Sequence, residues 1–150
     1  VFGDSVVLGA REQLKEVLGL ISIDAQVGRQ PHEIADRIEI RRAEKRLGDT
    51  VIIHMGTNGI VTEADLKPIL DRLQDRKRVV VVNVRVPRVW MNPTNEMIGS
   101  IVTQYPNVRL ADWNAVSKGH RGYFGPDGVH LTQTGAQEFA KLILQQMQLP

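Results

Sequence analysis

Hydrophobic spacing along the chain switches repeatedly between the helical and the extended period. Residues 6–18 place Val6, Val7, Ala10, Leu14, Val17 and Leu18 on one side of a helix, and Gly19 ends the run. Residues 20–27 alternate like a strand and stop at Gly28. Residues 31–47 predict a helix with Pro31 in its first turn and Gly48 beyond its end. Residues 50–55 form a short apolar run, the mark of a buried strand. Residues 62–74 predict a helix capped by Thr62, with Asp65 three residues on. The strongest strand is 78–84, whose β-branched continuity suggests burial on both faces. After a loop containing Pro87 and Pro93 come a helix over 94–104 and a last strand over 108–112. Residues 119–127 hold Gly119, Gly122, Gly125 and Pro126 and predict a loop, and 132–148 predict a closing helix.

Strand and helix alternate throughout, and Val1-Phe2 read as the end of a further strand. The expectation is an α/β protein: a three-layer α/β/α sandwich on a doubly wound, five-stranded parallel sheet of flavodoxin-like order. No repeat or linker interrupts residues 1–150, so a single domain is expected. A strand end entering a turn is an unusual place to start, which suggests a domain excised from a longer, membrane-anchored protein.

Composition narrows the chemistry. The 150 residues contain no cysteine, which excludes a disulfide framework, a thiol nucleophile and a cysteine metal site. The formal charge of +2 is too small to argue for a nucleic-acid partner, despite a sequence pI of about 9.2. No apolar run approaches the ~18–20 residues of a membrane span. Arg37, Arg41, Arg42, Lys45 and Arg46 share one predicted helix with Glu39 and Glu44, the pattern of a solvated face.

In such folds ligands bind beyond the carboxyl ends of the strands. Those ends carry Gly3-Asp4-Ser5, Gly28, Gly56-Thr57-Asn58-Gly59 and Arg85-Val86-Pro87-Arg88, and Asp127-Gly128-Val129-His130 precedes the last helix. Taken alone, Ser5 reads more often as a helix cap than as a nucleophile. His130 lies three residues after Asp127, a spacing at which a carboxylate can accept from Nδ1–H and leave Nε2 as a base; a solvated loop pair is the competing reading. The backbone amides of Ser5 and Gly28 and the side-chain amide of Asn58 are candidate oxyanion donors. His32, His54 and His120 lack metal-ligand spacing. Neither a G-x-S-x-G elbow nor a nucleotide-binding glycine loop is present. No metal or cofactor is expected.

These residues resemble the conserved blocks of the SGNH/GDSL hydrolase superfamily. Gly3-Asp4-Ser5-Val6-Val7-Leu8-Gly9 is similar to the first block, Gly28 to the second, Gly56-Thr57-Asn58 to the third and Asp127-Gly128-Val129-His130 to the fifth. One departure is Gly59, which stands where the common pattern has Asp after the third-block Asn. The resemblance implies Ser5 as nucleophile, His130 as base, Asp127 as its orienter, and an oxyanion hole from Ser5, Gly28 and Asn58. Asn83-Val84-Arg85-Val86-Pro87-Arg88, Asp112-Trp113 and Tyr123-Phe124 add a narrower resemblance, to the extracytoplasmic SGNH domain of peptidoglycan O-acetyltransferase A-type proteins. That resemblance implies transfer of an acetyl group through an acyl-serine to a glycan hydroxyl, the muramoyl C6 oxygen. It also implies a membrane acyltransferase portion in the same polypeptide and a location outside the cytoplasm, the excised domain being soluble and monomeric.

Arg85, Arg88, Trp90 and Trp113 are candidate glycan contacts, since aromatic and guanidinium faces pack on sugars; core packing and structural ion pairs are their competing readings. Two rival functions are an esterase, which hands the same acyl group to water, and a non-enzymatic flavodoxin-like module. The module reading is weakened by the absence of an acidic residue after the third strand and of a Ser/Thr-rich phosphate loop.

Overall fold

The structure, a computed structural model, describes residues 1–149. Its elements are β1 (Phe2–Gly3), α1 (Ser5–Gly9), α2 (Arg11–Leu18), β2 (Asp24–Ala25), α3 (Pro31–Ala43), β3 (Thr50–His54), α4 (Glu63–Arg72), β4 (Arg78–Val82), α5 (Met91–Val102), β5 (Val108–Ala111), α6 (Trp113–Ser117) and α7 (Gln133–Gln148), with a 3-10 turn at Arg121–Tyr123. The five strands form one parallel sheet in the order β2-β1-β3-β4-β5. The doubly wound α/β expectation is met.

The strand period of two divides the apolar residues between two cores. Val51, Ile53, Val79, Val81 and Val108 point to one face and pack with Ile34 and Ile38 of α3, Leu66, Ile69 and Leu70 of α4, and Ile98 and Ile101 of α5. Ile52, Val80, Val82 and Ala111 point to the other and meet Val6 and Val7 of α1, Leu14 of α2, and Phe139, Ala140 and Ile143 of α7. Two glycines permit close approach. A Cβ on Gly3 would lie 2.3 Å from Val7 Cγ2, and one on Gly135 would lie 2.0 Å from the Tyr123 carbonyl oxygen.

Several boundaries depart from expectation. The helix predicted over 6–18 is two helices, because the chain turns at Ala10 (φ −88°, ψ 6°) after Gly9. The strand predicted over 20–27 shrinks to Asp24–Ala25, since its neighbour β1 offers only two residues to pair with and Leu20 stands in solvent. The third helix ends at Ala43 rather than near Gly48: Lys45 takes a left-handed conformation (φ 57°), and the amides of Lys45 and Arg46 donate to the carbonyls of Arg42 and Arg41. Helix α5 starts at Met91 because Pro93, read as a loop residue, fits a first turn whose amides need no helical partner. The sequence reading missed α6 and the 3-10 turn.

Candidate active site

Ser5 follows the last residue pair of β1 at the sheet's carboxyl edge and is the first residue of α1. Asp4, not Ser5, caps that helix: its Oδ1 accepts from the Val6 amide at 3.0 Å. The Ser5 hydroxyl is therefore not engaged as a cap. It lies 3.0 Å from His130 Nε2, across 125 residues of sequence. His130 Nδ1 lies 2.5 Å from Asp127 Oδ2. A carboxylate only accepts, so Nδ1 carries the proton and Nε2 is left to accept from the Ser5 hydroxyl.

Asp127 is held from its other oxygen, where Oδ1 accepts from the amides of Val129 (2.9 Å) and His130 (3.0 Å). The bond from His130, helped by those amides, lowers the Asp127 carboxyl from 3.8 to about 2. The segment that presents the pair is tied at both ends. Gly125 N–H donates to the His130 carbonyl and Thr132 N–H to the Tyr123 carbonyl, and the Thr132 side chain caps α7 through the Gly135 amide. Ser5 is 8% exposed, whereas the His130 and Asp127 side chains are 54% and 50% exposed, so the imidazole faces an open mouth.

The candidate oxyanion donors lie on two neighbouring loops. Gly28 has φ +74°, a conformation that favours glycine, and Asn58 Nδ2 lies 3.5 Å from the carbonyl oxygen of Arg29, the next residue along. Arg29 is a site residue the sequence reading missed. Its buried guanidinium donates to the carbonyls of Gly3 (3.3 Å) and Asp24 (2.6 Å) and pairs with the Asp24 carboxylate at 2.9 Å, tying the ends of β1 and β2 to the Gly28 loop. Burial of Asp24 raises its carboxyl, but hydrogen bonds from Arg37 and Arg29 outweigh that and leave it lowered. A charged residue within an otherwise alternating strand was the available signal. Part of the basic helix face thus has a structural duty: Arg37 and Arg41 also pair with Asp24, at 2.8 and 3.5 Å.

The Asn58 loop has support despite Gly59. Trp90 Nε1 donates to the Gly56 carbonyl (3.0 Å), the Val61 amide donates to Thr94 Oγ1 (3.2 Å), and Gly56 takes φ +110° in a space where a Cβ would crowd Val61, Val84 and Thr94. Beneath it His54 is buried, with Nδ1 3.2 Å from the Val82 carbonyl and Nε2 3.3 Å from Thr57 Oγ1.

The proposed glycan contacts separate. Trp113 is 1% exposed and packs against Tyr123, Phe124 and Phe139, so a glycan contact by its ring is corrected: it is core. Trp90 anchors the Asn58 loop through its indole N–H. Arg88 is exposed, and its guanidinium donates to the neighbouring Pro87 carbonyl. Arg85 donates to Asn114 Oδ1 (2.9 Å) and lines a groove of about 480 Å³ with Pro87, His120, Arg121, Phe124 and Gly128, along the loop that carries Asp127 and His130.

No family model matches the chain. It is 40% identical over 144 residues, 94% of its length, to the peptidoglycan O-acetyltransferase OatA of Listeria monocytogenes, and spans 22% of the length of that relative. Its fold is similar to the C-terminal catalytic domain of Streptococcus pneumoniae peptidoglycan O-acetyltransferase A, solved with a methylsulfonyl adduct. There the TM-score is 0.89 at 25% identity, over 98% of this chain and 90% of that one. A family 3 carbohydrate esterase of Clostridium thermocellum shares the fold at TM-score 0.79 and 19% identity, over 97% and 92% of the two chains. These likenesses and the strand-end chemistry agree: the chain is similar in sequence and fold to the catalytic domains of peptidoglycan O-acetyltransferases, and its sheet and helices are those of the SGNH hydrolase fold.

Proposed function

We propose that the chain moves an acetyl group from an ester donor to a hydroxyl of a peptidoglycan-type glycan, with Ser5 as nucleophile, His130 as general base and Asp127 as the residue that orients it. The hydrogen-bond chain from Ser5 Oγ through His130 to Asp127 carries this reading. In the first step Ser5 Oγ bonds to the acyl carbon as its proton passes to His130 Nε2. The negative oxygen of the tetrahedral intermediate is met by the Ser5 and Gly28 amides and Asn58 Nδ2. The carbon–oxygen bond to the leaving alcohol then breaks, and that alcohol takes the proton from His130. In the second step His130 removes the proton of the sugar hydroxyl, the sugar oxygen attacks the acyl-serine, and Ser5 leaves with the proton returned. Asp127 stays ionised and stabilises the transient imidazolium.

The proposal extends to the setting of the reaction. It places the domain outside the cytoplasm, in one polypeptide with a membrane acyltransferase portion that supplies the donor; support comes from a chain that spans only 22% of the Listeria relative. Among the described residues no helix is long and apolar enough to cross a membrane. A second reading, hydrolysis of carbohydrate esters, is favoured by the half-exposed His130, which admits water as readily as a sugar, and by the esterase neighbour.

Labelling with a sulfonyl fluoride followed by peptide mapping tests the nucleophile. An adduct on Ser5 and a roughly 10⁴- to 10⁶-fold loss of turnover in Ser5→Ala are expected; full turnover by the variant removes Ser5 from the reaction. Incubating an activated acetyl ester with and without an oligosaccharide separates the two activities. Mass gain on the sugar marks transfer, and free acetate alone marks hydrolysis.

A further inference from the structure

The groove beside the triad loop has a chemistry that the transfer reaction itself does not require. Two guanidinium groups line it, and no acidic residue does among the described residues. Arg121 is exposed, and its side chain has no hydrogen-bond or ion-pair partner among the described residues. Arg85 donates to the neutral Asn114 amide oxygen and has no carboxylate partner among the described residues. One half-buried and one exposed guanidinium group on the same groove make a binding element for a planar anion, because the fork of N–H donors matches two carboxylate oxygens.

The groove also offers a ring-shaped surface. His120 stacks on Tyr123 at 4.6 Å with the planes 8° apart, and Tyr123 stacks on the buried Trp113 at 5.9 Å and 16°. This column is rooted in the core and covers one face of the His120 ring, while His120 itself is exposed and lines the groove. Gly128, on the same wall, is next to Asp127 and two residues from His130, so whatever lies in the groove lies against the segment that presents the base.

We propose that this groove is an acceptor subsite for a carboxylate-bearing glycan, with Arg121 and Arg85 as its anion-binding pair and the open face of His120 as the platform for a sugar ring. The inference rests on the reading of the Ser5 centre as a glycan acyltransferase and adds what that reading leaves open, the charge of the acceptor. A peptidoglycan-type strand has two sources of carboxylate: the lactyl ether of a muramic residue without peptide, and the free carboxylates of an attached peptide. Either suits two guanidinium groups; a neutral N-acetylglucosamine oligomer offers them nothing.

The test compares three acceptors under one activated acetyl ester: a peptide-free muramic acid oligosaccharide, a peptide-bearing glycan and a neutral N-acetylglucosamine oligomer. The readout is kcat/KM for acetylated sugar by mass. Wild-type protein is expected to favour at least one carboxylated acceptor by about tenfold, the scale of a hydrogen bond to a charged group, and which one it favours identifies the source. Arg121→Ala is expected to abolish most of that preference through KM, Arg121→Lys to recover part of it, and Lys67→Ala on α4 to leave the preference as it was. No preference in the wild type, or one unchanged in both Arg121→Ala and Arg85→Ala, overturns the subsite. Binding of the same oligosaccharides to Ser5→Ala protein is measured separately. Arg121-dependent binding of a carboxylated glycan without mass gain in wild type keeps the groove and sinks the transferase reading; no carboxylate-selective binding sinks the groove.

Discussion

At the scale of single residues, Asp127 does two things with its two oxygens: one fixes the imidazole tautomer and the other fixes its own loop. Asp127→Asn keeps the shape, but an amide can turn its N–H₂ toward Nδ1 and favour the wrong tautomer. Turnover should fall roughly 10⁴-fold, as when the orienting carboxylate of a serine protease becomes an amide, and the urea midpoint at pH 7 should drop modestly, because the carboxylate lost is half-exposed. The wild-type carboxyl, lowered from 3.8 to about 2, contributes stability that is complete above pH 3.8 and disappears as pH falls through about 2. Acid-unfolding curves of wild type and Asp127→Asn should therefore converge over that window. Asp24 is a different case, a buried partner to a buried cation. Asp24→Asn leaves the Arg29 guanidinium without its counter-charge and should cost about 3–5 kcal/mol by urea unfolding. Because the Asp24 carboxyl is also lowered, this advantage of the wild type is present above pH 3.8 and is lost as pH falls through the lowered value.

At the scale of elements, alternating and helical periods were enough to find most strands and helices, because burial on two sheet faces writes itself into the order of apolar residues. The ends were less visible. Lys45 stops α3 through a left-handed turn whose two hydrogen bonds reach back to Arg41 and Arg42, and nothing in a lysine announces that conformation. Replacing it by glycine should therefore stabilise the protein by about 0.5–1 kcal/mol, the steric relief exceeding the added chain entropy; a lower urea midpoint for Lys45→Gly refutes this. Pro93 misled in the opposite sense, since proline both breaks and begins helices. Ser5, Gly28, Asn58, Asp127 and His130 were legible because each follows a strand or precedes a helix at one edge of the sheet. Trp113 was not, because an aromatic residue after a strand reads alike whether it turns outward or inward. His120 and Arg121 were hidden in a glycine-rich stretch that reads only as a loop.

At the scale of the whole molecule, Ser5 hangs from the first strand and His130 from the segment before the last helix. They meet because α7 packs on the same sheet face as α1 and α2, with Phe139 fully buried between His54 and Trp113. Phe139→Ala should cost about 3–5 kcal/mol. In wild type, esterase activity and far-UV circular dichroism should vanish together across one urea transition; activity lost well before the helical signal would show that the α7 segment detaches by itself. The 125-residue span between Ser5 and His130 therefore acts as a safety catch. On the proposed chemistry, a chain in which α7 has not yet docked holds Ser5 without its imidazole partner, so reactivity toward activated esters would arrive only with the finished architecture.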